Sequence, residues 1–152
     1  MSRPRLFLEL RIAARRPWVP SARDFKRWAE AALPAAARSA VLSVVVVGDA
    51  RSRSLNRGYR GKDRPTNILS FAGSGAAPDG RHYLGELVIC APLVAREARA
   101  QHKQPRAHWA HLTVHGVLHL LGMDHERARQ ASRMESLEIQ ILDQLGFSDP
   151  YT

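Results

Sequence analysis

The chain has 152 residues, 45% of them hydrophobic and only 7% aromatic, which suits one globular domain covering residues 1–152. Lysine and arginine total 23 against 14 acidic residues, so the formal net charge is +9 and the pI is about 10.9. The longest apolar stretch, residues 41–47, is far shorter than the roughly 20 residues of a transmembrane helix, which argues against a membrane protein.

A chain this basic favours a polyanionic partner, with nucleic acid first and an anionic membrane surface second. Of the cationic residues, 20 are arginine and 3 are lysine. Arginine can hold a phosphate with two parallel hydrogen bonds, so this excess mildly favours phosphate recognition, although codon usage in an Arg- and Ala-rich genome gives the same count. The single cysteine, Cys90, can form no internal disulfide, and no secretion signal is evident, so we expect a cytoplasmic protein.

The first third of the chain predicts two strands around one helix. RLFLELRI, residues 5–12, alternates apolar with other side chains, as a half-buried strand does. Ser21 and Asp24 resemble a capping box, and apolar residues then recur at helical spacing as far as Pro34. The segment VLSVVVVGD, residues 41–49, is almost wholly apolar before its last two residues, which predicts a central strand buried on both faces.

The middle of the chain predicts a short helix, two loops and a strand. Asp49 is placed to cap a helix that continues through Asn56, and the polar segment GYRGKDRPTN, residues 58–67, predicts a loop. The apolar segment ILSF, residues 68–71, predicts a strand. Residues 72–82 are rich in turn residues and predict a surface loop.

The last third predicts one strand followed by three helices. The strand ends at Cys90, and Pro92 is placed to occupy the first position of the next helix. A strongly periodic helix covers residues 105–121 and ends at Gly122, and a final helix covers about residues 127–145. Four strands interleaved with about five helices predict an α/β (α+β-like) domain.

The segment HGVLHLLGMDH carries the strongest chemical signal in the chain. His115 and His119 are four residues apart, so both imidazoles lie on one face of a helix. Gly122 permits a chain reversal that brings His125 back towards them. Three histidines leave the fourth position of a tetrahedral ion open for water, which is typical of a catalytic zinc site. Nickel and copper also accept imidazole ligands.

Two other interpretations of this segment stay open. His111 lies four residues before His115 and could compete as a ligand, although its distance from Gly122 favours a supporting or surface position. The metzincin proteases share the spacing in HExxHxxGxxH, but the residue that would be their glutamate general base is Gly116 here. A protease would therefore need another carboxylate.

Four segments of the chain resemble the YbeY family, the bacterial endoribonucleases that act as rRNA maturation factors (UPF0054-type metalloproteins). They are LNRGYRGKDRPTNILSF at residues 55–71, LGELVIC at 84–90, HWAHLTVHGVLHLLGMDHE at 108–126 and MESLEIQIL at 134–142. The resemblance implies an α/β domain with a small, mostly parallel mixed sheet and a zinc-dependent endoribonuclease specific for single-stranded RNA. It further implies roles in 16S rRNA 3′-end maturation and 70S ribosome quality control.

The resemblance also assigns residues and partners. His115, His119 and His125 carry over as the zinc ligands and catalytic residues, and Arg60 of the YRGKD segment carries over as a residue important for activity. Lys62 and Arg64 are then candidates, with Arg60, for binding the RNA backbone. The implied partners are rRNA precursors, the ribosome or its small-subunit proteins and an assembly GTPase, with no membrane.

One competing function is a ribosome-associated RNA-binding assembly factor whose own nuclease activity is weak or absent. The general base is also undetermined, because either a water on the metal or the RNA 2′-hydroxyl can serve as the nucleophile. Asp124 and Glu126 are the carboxylates nearest in sequence to the histidines.

Overall fold

The computed structural model describes residues 6–34, 39–75, 81–123 and 127–152, which form four strands and five helices. In chain order these are β1 (Leu6–Ile12), α1 (Ala22–Ala32), β2 (Ala40–Val47), α2 (Asp49–Arg60), β3 (Ile68–Ala72), β4 (His82–Cys90), α3 (Ala91–Ala100), α4 (Pro105–Leu120) and α5 (Ala128–Gln144). The predicted α/β domain with four strands and about five helices is confirmed for the described residues.

The strands form one mixed sheet in the order β1-β2-β4-β3. The neighbours β1, β2 and β4 are parallel, and β3 joins β4 as an antiparallel edge strand. Parallel neighbours need a crossover, and α1 supplies the one between β1 and β2. In β2, seven of the eight residues are buried, which confirms the predicted central strand.

The larger core lies between one face of the sheet and helices α1, α4 and α5. Phe25 and Trp28 of α1 are fully buried, and Phe25 packs edge-on against Trp109 of α4 with 5.8 Å between ring centroids. A smaller cluster around Cys90 occupies the opposite face of the sheet, with Leu55 of α2 packed against it. The sheet is therefore covered on both faces, and α4 is held between it and the other helices.

Gly116 sets how closely α4 approaches the sheet. A Cβ added there would lie 2.7 Å from Cδ1 of Ile68 in β3 and 2.7 Å from Cδ2 of Leu87 in β4. The glycine therefore fixes the face of α4 that meets the sheet. His115 and His119 consequently line a cavity beside β3.

Five predicted boundaries differ from the structure by one to a few residues. The helix α2 continues past Asn56 to Arg60, so the predicted loop begins at Gly61, whose φ of 69° ends the helix. The N-cap of α2 is Gly48, with Asp49 as the first helical residue. The helix α3 begins at Ala91, so Pro92 is its second residue, and Ala72 and His82 belong to strands.

Among the described helices, none combines the length and the apolar character that crossing a membrane requires.

Candidate active site

Two histidines of α4 bring their ring nitrogens together at a cavity wall. The Nε2 atoms of His115 and His119 are 3.1 Å apart, and the ring centroids are 4.7 Å apart. Two ligands of a tetrahedral zinc, each at roughly 2.0–2.1 Å from the ion, are about 3.3 Å apart. The pair therefore has the chemistry and the spacing to bind one metal ion.

Glu138 of α5 contacts the other side of this histidine row. Its Oε1 is 3.1 Å from Nδ1 of His115, and its Oε2 contacts Nε2 of His111. The same Oε2 accepts a hydrogen bond of 3.0 Å from the hydroxyl of Tyr151. Glu138 is only 1% exposed, so one buried carboxylate joins α4, α5 and the C-terminal segment.

The environment of Glu138 determines the tautomer of His115. Burial alone would raise the pKa of the Glu138 carboxyl, but the hydrogen bonds with His111 and His115 outweigh burial and place the pKa at about 2. An ionised carboxylate only accepts hydrogen bonds, so Nδ1 of His115 must donate. In the neutral ring Nε2 then keeps its lone pair, and this is the nitrogen that faces His119.

Glu138 also belongs to a second group of potential metal ligands. One ligand atom from each of His111, His115 and Glu138 lies within 4.8 Å of the others. The described residues thus offer a metal two donor sets that share His115. Imidazole and carboxylate groups are both common metal ligands, so both donor sets are chemically suitable.

Arg60 lines the same cavity as His115 and His119. The cavity has a volume of about 580 Å³, and Tyr59, Asn67 and Phe71 also line it. Arg60 is the last residue of α2, and Gly61 ends the helix with its N–H bonded to the carbonyls of Arg57 and Asn56. Because α2 ends at this point, the chain changes direction directly after Arg60, and Arg60 is part of the cavity lining.

The charge of Arg60 is uncompensated within the described part of the chain. Other arginines form bidentate pairs there, such as Arg53 with Asp63 at 2.8 and 2.9 Å and Arg96 with Asp49 at 2.8 and 3.0 Å. Arg60 forms no ion pair with a described acidic residue. The cavity therefore combines histidine nitrogens whose spacing suits a metal with a guanidinium that has no acidic partner among the described residues.

The segment after Arg60 is tied back to α2 by buried polar side chains. The Ser52 hydroxyl donates to the Thr66 carbonyl at 2.9 Å and accepts from the Thr66 N–H at 2.9 Å. The Asn56 amide donates to the Arg64 carbonyl at 2.9 Å. These bonds fix the path into β3 and so place Asn67 at the cavity wall.

The structure brings together three of the residues that the sequence singled out, namely Arg60, His115 and His119. Lys62 and Arg64 are exposed and do not line this cavity. His125 lies outside the described residues, as do Asp124 and Glu126. Their roles stay predictions.

The protease interpretation meets a steric obstacle at Gly116. A side chain at this position would collide with Ile68 and Leu87, since an added Cβ would lie 2.7 Å from atoms of both. The glycine itself carries no carboxylate, so this position does not supply the base that a metzincin requires.

Sequence reasoning missed Glu138 and Tyr151. A signal for Glu138 was present, because it is a charged residue on the buried face of α5, with Met134 and Ile141 three or four residues away. A glutamate on such a face is expected to have a polar partner. Tyr151 had no comparable signal, since it follows the last helix and no periodicity places it.

Comparisons with known sequences and structures identify similar proteins. The sequence model of the family described as endoribonuclease YbeY matches residues 16–146. Endoribonuclease YbeY of Stenotrophomonas maltophilia (strain K279a) is 52% identical over 151 residues, which cover 97% of this chain and 94% of that protein. Endoribonuclease YbeY of Alkalilimnicola ehrlichii is 52% identical over 155 residues, covering 97% and 92%. A solution structure of a Thermotoga maritima protein has the same fold, with a TM-score of 0.53, 19% identity and coverage of 96% of this chain and 99% of that one.

Proposed function

The chain belongs to the endoribonuclease YbeY family, and on that premise we propose that it is a metal-dependent endoribonuclease that hydrolyses phosphodiester bonds of single-stranded RNA. One observation carries the proposal: a histidine pair suited to a metal lines the same cavity as an arginine that has no acidic partner among the described residues. Residues 1–152 act as one catalytic domain. The substrates are rRNA precursors, and the functions are 16S rRNA 3′-end maturation and 70S ribosome quality control in the cytoplasm.

The metal in this proposal is held by His115, His119 and His125. The first two have Nε2 atoms 3.1 Å apart, and His125 is included because of its sequence spacing. Three neutral imidazoles suit Zn²⁺, and nickel or copper would fit the same donors. A bound zinc ion supplies a Lewis acid for the phosphoryl oxygen and lowers the pKa of water.

Two features favour this donor set over His111, His115 and Glu138. Both oxygens of Glu138 already accept hydrogen bonds, from His115 on one side and from His111 and Tyr151 on the other. A metal between these atoms would replace bonds that hold a nearly inaccessible carboxylate in place. His115 and His119 both line the cavity that Arg60 also lines, whereas Glu138 does not.

Arg60 supplies the positive charge that a phosphodiester needs. Its guanidinium can donate two parallel hydrogen bonds to phosphoryl oxygens, and it has no acidic partner to displace among the described residues. Charge builds up on those oxygens as the bond to phosphorus forms, so a positioned guanidinium stabilises the transition state. Lys62 and Arg64 lie outside the cavity and are suited to more distant backbone phosphates.

Electrostatics beyond the site support an RNA substrate. The formal net charge of +9 attracts a polyanion over a long range, and the attraction weakens as salt rises. The same charge is compatible with docking on ribosomal RNA. We therefore propose the ribosome, its small-subunit proteins and an assembly GTPase as partners.

The decisive experiment compares cleavage of single-stranded RNA with zinc content in the same preparations. His119→Ala is expected to lose both zinc and activity, because it removes one Nε2 ligand. Arg60→Ala is expected to keep zinc and lose activity. Arg57→Ala, which removes an exposed arginine one turn earlier on α2, is the matched control and should retain both.

Three results would contradict the proposal. Zinc-free wild-type protein that still cleaves would exclude a metal-dependent reaction, and equal cleavage by all variants would indicate a contaminating nuclease. Wild-type protein that binds RNA and zinc but cleaves nothing would favour the ribosome-associated assembly factor instead.

A further inference from the structure

A second cavity adjoins the first at His115. Its volume is about 420 Å³, and it shares Asn67, Ile68 and His115 with the cavity of Arg60. The first cavity borders α4 at His119 and His115, whereas the second continues along α4 towards its N-terminus. A strand that crosses the histidine pair therefore has room on both sides.

Tyr151 lines the second cavity and is held there by contacts of its hydroxyl, its ring and its backbone. Its hydroxyl donates to Glu138 at 3.0 Å, and its ring packs edge-on against His111 with 5.3 Å between centroids. Its N–H donates to the Asp149 carboxylate at 2.8 Å. The residue nevertheless remains 46% exposed. A fixed, exposed aromatic ring beside a cavity is a stacking surface for another planar group.

Lys103 brings a positive charge to the same cavity. It follows His102, whose φ of 55° is rare for a residue other than glycine, and its N–H is bonded to the Ala98 carbonyl at 2.8 Å. The residue after this turn, Lys103, is part of the lining of the cavity. Its ammonium forms no ion pair with an acidic residue in the described ranges.

Glu97 is the acidic residue in the described lining of this cavity, and its carboxylate already has hydrogen-bond partners. It interacts with Nε2 of His108 at 2.9 Å and accepts a hydrogen bond from the Asn67 amide at 3.1 Å. A phosphate is repelled by this carboxylate and attracted by Lys103. A nucleotide would therefore place its phosphate at Lys103 and its base over Tyr151.

We propose that the second cavity is a nucleotide subsite of the RNA strand, in which the Tyr151 ring stacks on the base and Lys103 binds the adjoining phosphate. The subsite rests on the proposed function, because it neighbours the phosphate that Arg60 holds. It also gives a reason for preferring single strands. Tyr59, 69% exposed in the first cavity, is a second separate aromatic surface, and a strand reaches both only when its bases are not stacked in a duplex.

Single-turnover cleavage of a short single-stranded RNA, measured at increasing concentrations of metal-loaded protein, separates binding from chemistry. Tyr151→Leu and Lys103→Gln should each raise the half-saturating concentration about tenfold, the loss expected for one stacked base or one phosphate contact. Tyr151→Phe keeps the ring and should recover most of that loss. Lys26→Gln removes an exposed lysine of α1 and should match wild type.

A substrate with a missing base tests the stacking directly. Abasic nucleotides are placed one at a time on either side of the cleavage site. At one position the missing base should raise the half-saturating concentration of the wild type about tenfold. The same substrate should not raise that of Tyr151→Leu any further, because this variant already lacks the stacking contact. Zinc content, measured in every preparation, should be equal.

The subsite is overturned if wild-type protein cleaves the RNA and Tyr151→Leu saturates at the same concentration. It is also overturned if Tyr151→Phe is as impaired as Tyr151→Leu, since the hydroxyl contact to Glu138 would then be what matters. Wild-type protein that does not cleave RNA at all would instead overturn the proposed function, and the subsite with it.

Discussion

Nδ1 of His115 and Oε1 of Glu138 are 3.1 Å apart, although the two residues lie on different helices and 23 positions apart in the sequence. The contact orients the ring whose other nitrogen faces His119. A carboxylate behind a histidine raises the basicity of the other ring nitrogen and holds the ring in place. Under the proposed function, the packing of α5 against α4 therefore influences how tightly α4 holds a metal.

The first prediction concerns this carboxylate. Glu138→Gln should weaken zinc binding about 10–100-fold, because an amide no longer supplies a negative charge to both His111 and His115. Competition with a chromophoric chelator measures the affinity, and circular dichroism verifies that the variant is folded. Glu135→Gln, an exposed change one turn earlier on α5, is the control and should bind zinc as wild type does. Equal affinity of the Glu138 variant would show that the contact is not needed for the metal.

The second prediction distinguishes the two donor sets that share His115. His111→Ala should retain stoichiometric zinc, because in our assignment His111 contacts Glu138 and not the metal. His119→Ala should lose the metal. Atomic absorption after dialysis gives the stoichiometry, and His82→Ala, an exposed histidine of β4, is the control. The opposite pattern, with zinc lost from His111→Ala and kept in His119→Ala, would place the ion at His111, His115 and Glu138.

Local patterns were enough to predict much of the fold and part of the site. Ser21 accepts a hydrogen bond from the Asp24 N–H at 3.2 Å, as the capping pattern predicts, and the spacing of His115 and His119 placed both on one face of α4. These features depend on residues a few positions apart. Glu138 and Tyr151 reach the site because separate elements pack together. The spacing of residues within one segment does not predict such packing.

The end of α2 shows how tertiary contacts override a local signal. Gly58 and the polar residues after it predicted a loop, yet the helix continues to Arg60. Ser52 and Asn56 on its buried face bond to the segment that returns towards β3, and these bonds offset the modest cost of a glycine in the helix, about 1 kcal/mol. The extra turn is what places Arg60 at the cavity.

The third prediction is structural and concerns Gly85 in β4. Its φ is 141°, and a Cβ there would lie 2.3 Å from the carbonyl oxygen of Phe71 and 2.9 Å from Leu120. Gly85→Ala should therefore lower the free energy of unfolding by about 3 kcal/mol, since both the backbone conformation and the strand spacing must change. Urea denaturation measures the difference.

Gly58→Ala is the matched control for that substitution. An added Cβ at Gly58 meets no described atom within 4 Å, and Gly58 lies inside α2 without a positive φ. Alanine should raise the free energy of unfolding by about 0.5–1 kcal/mol, because it is the better helix former. A Gly85→Ala variant as stable as wild type would contradict the close approach of β3 and β4 at this position.

The last prediction is a pH dependence of stability at Glu97. Burial tends to raise the pKa of its carboxyl, but the hydrogen bonds with His108 and Asn67 outweigh burial and lower the pKa from its ordinary value of about 4.5. A lowered pKa in the folded state means that the folded protein binds the proton less readily than the unfolded chain. The stabilisation from Glu97 is therefore fully present above about pH 4.5 and is lost as the pH falls through the lowered pKa.

Glu97→Gln should thus be less stable than wild type at neutral pH, and the difference should shrink steadily on acidification, because a protonated glutamate resembles glutamine. Urea unfolding across this pH range measures both curves, with Glu135→Gln as the exposed control. A difference that stays constant, or grows, as the pH falls would show that the charge of Glu97 contributes nothing to the fold.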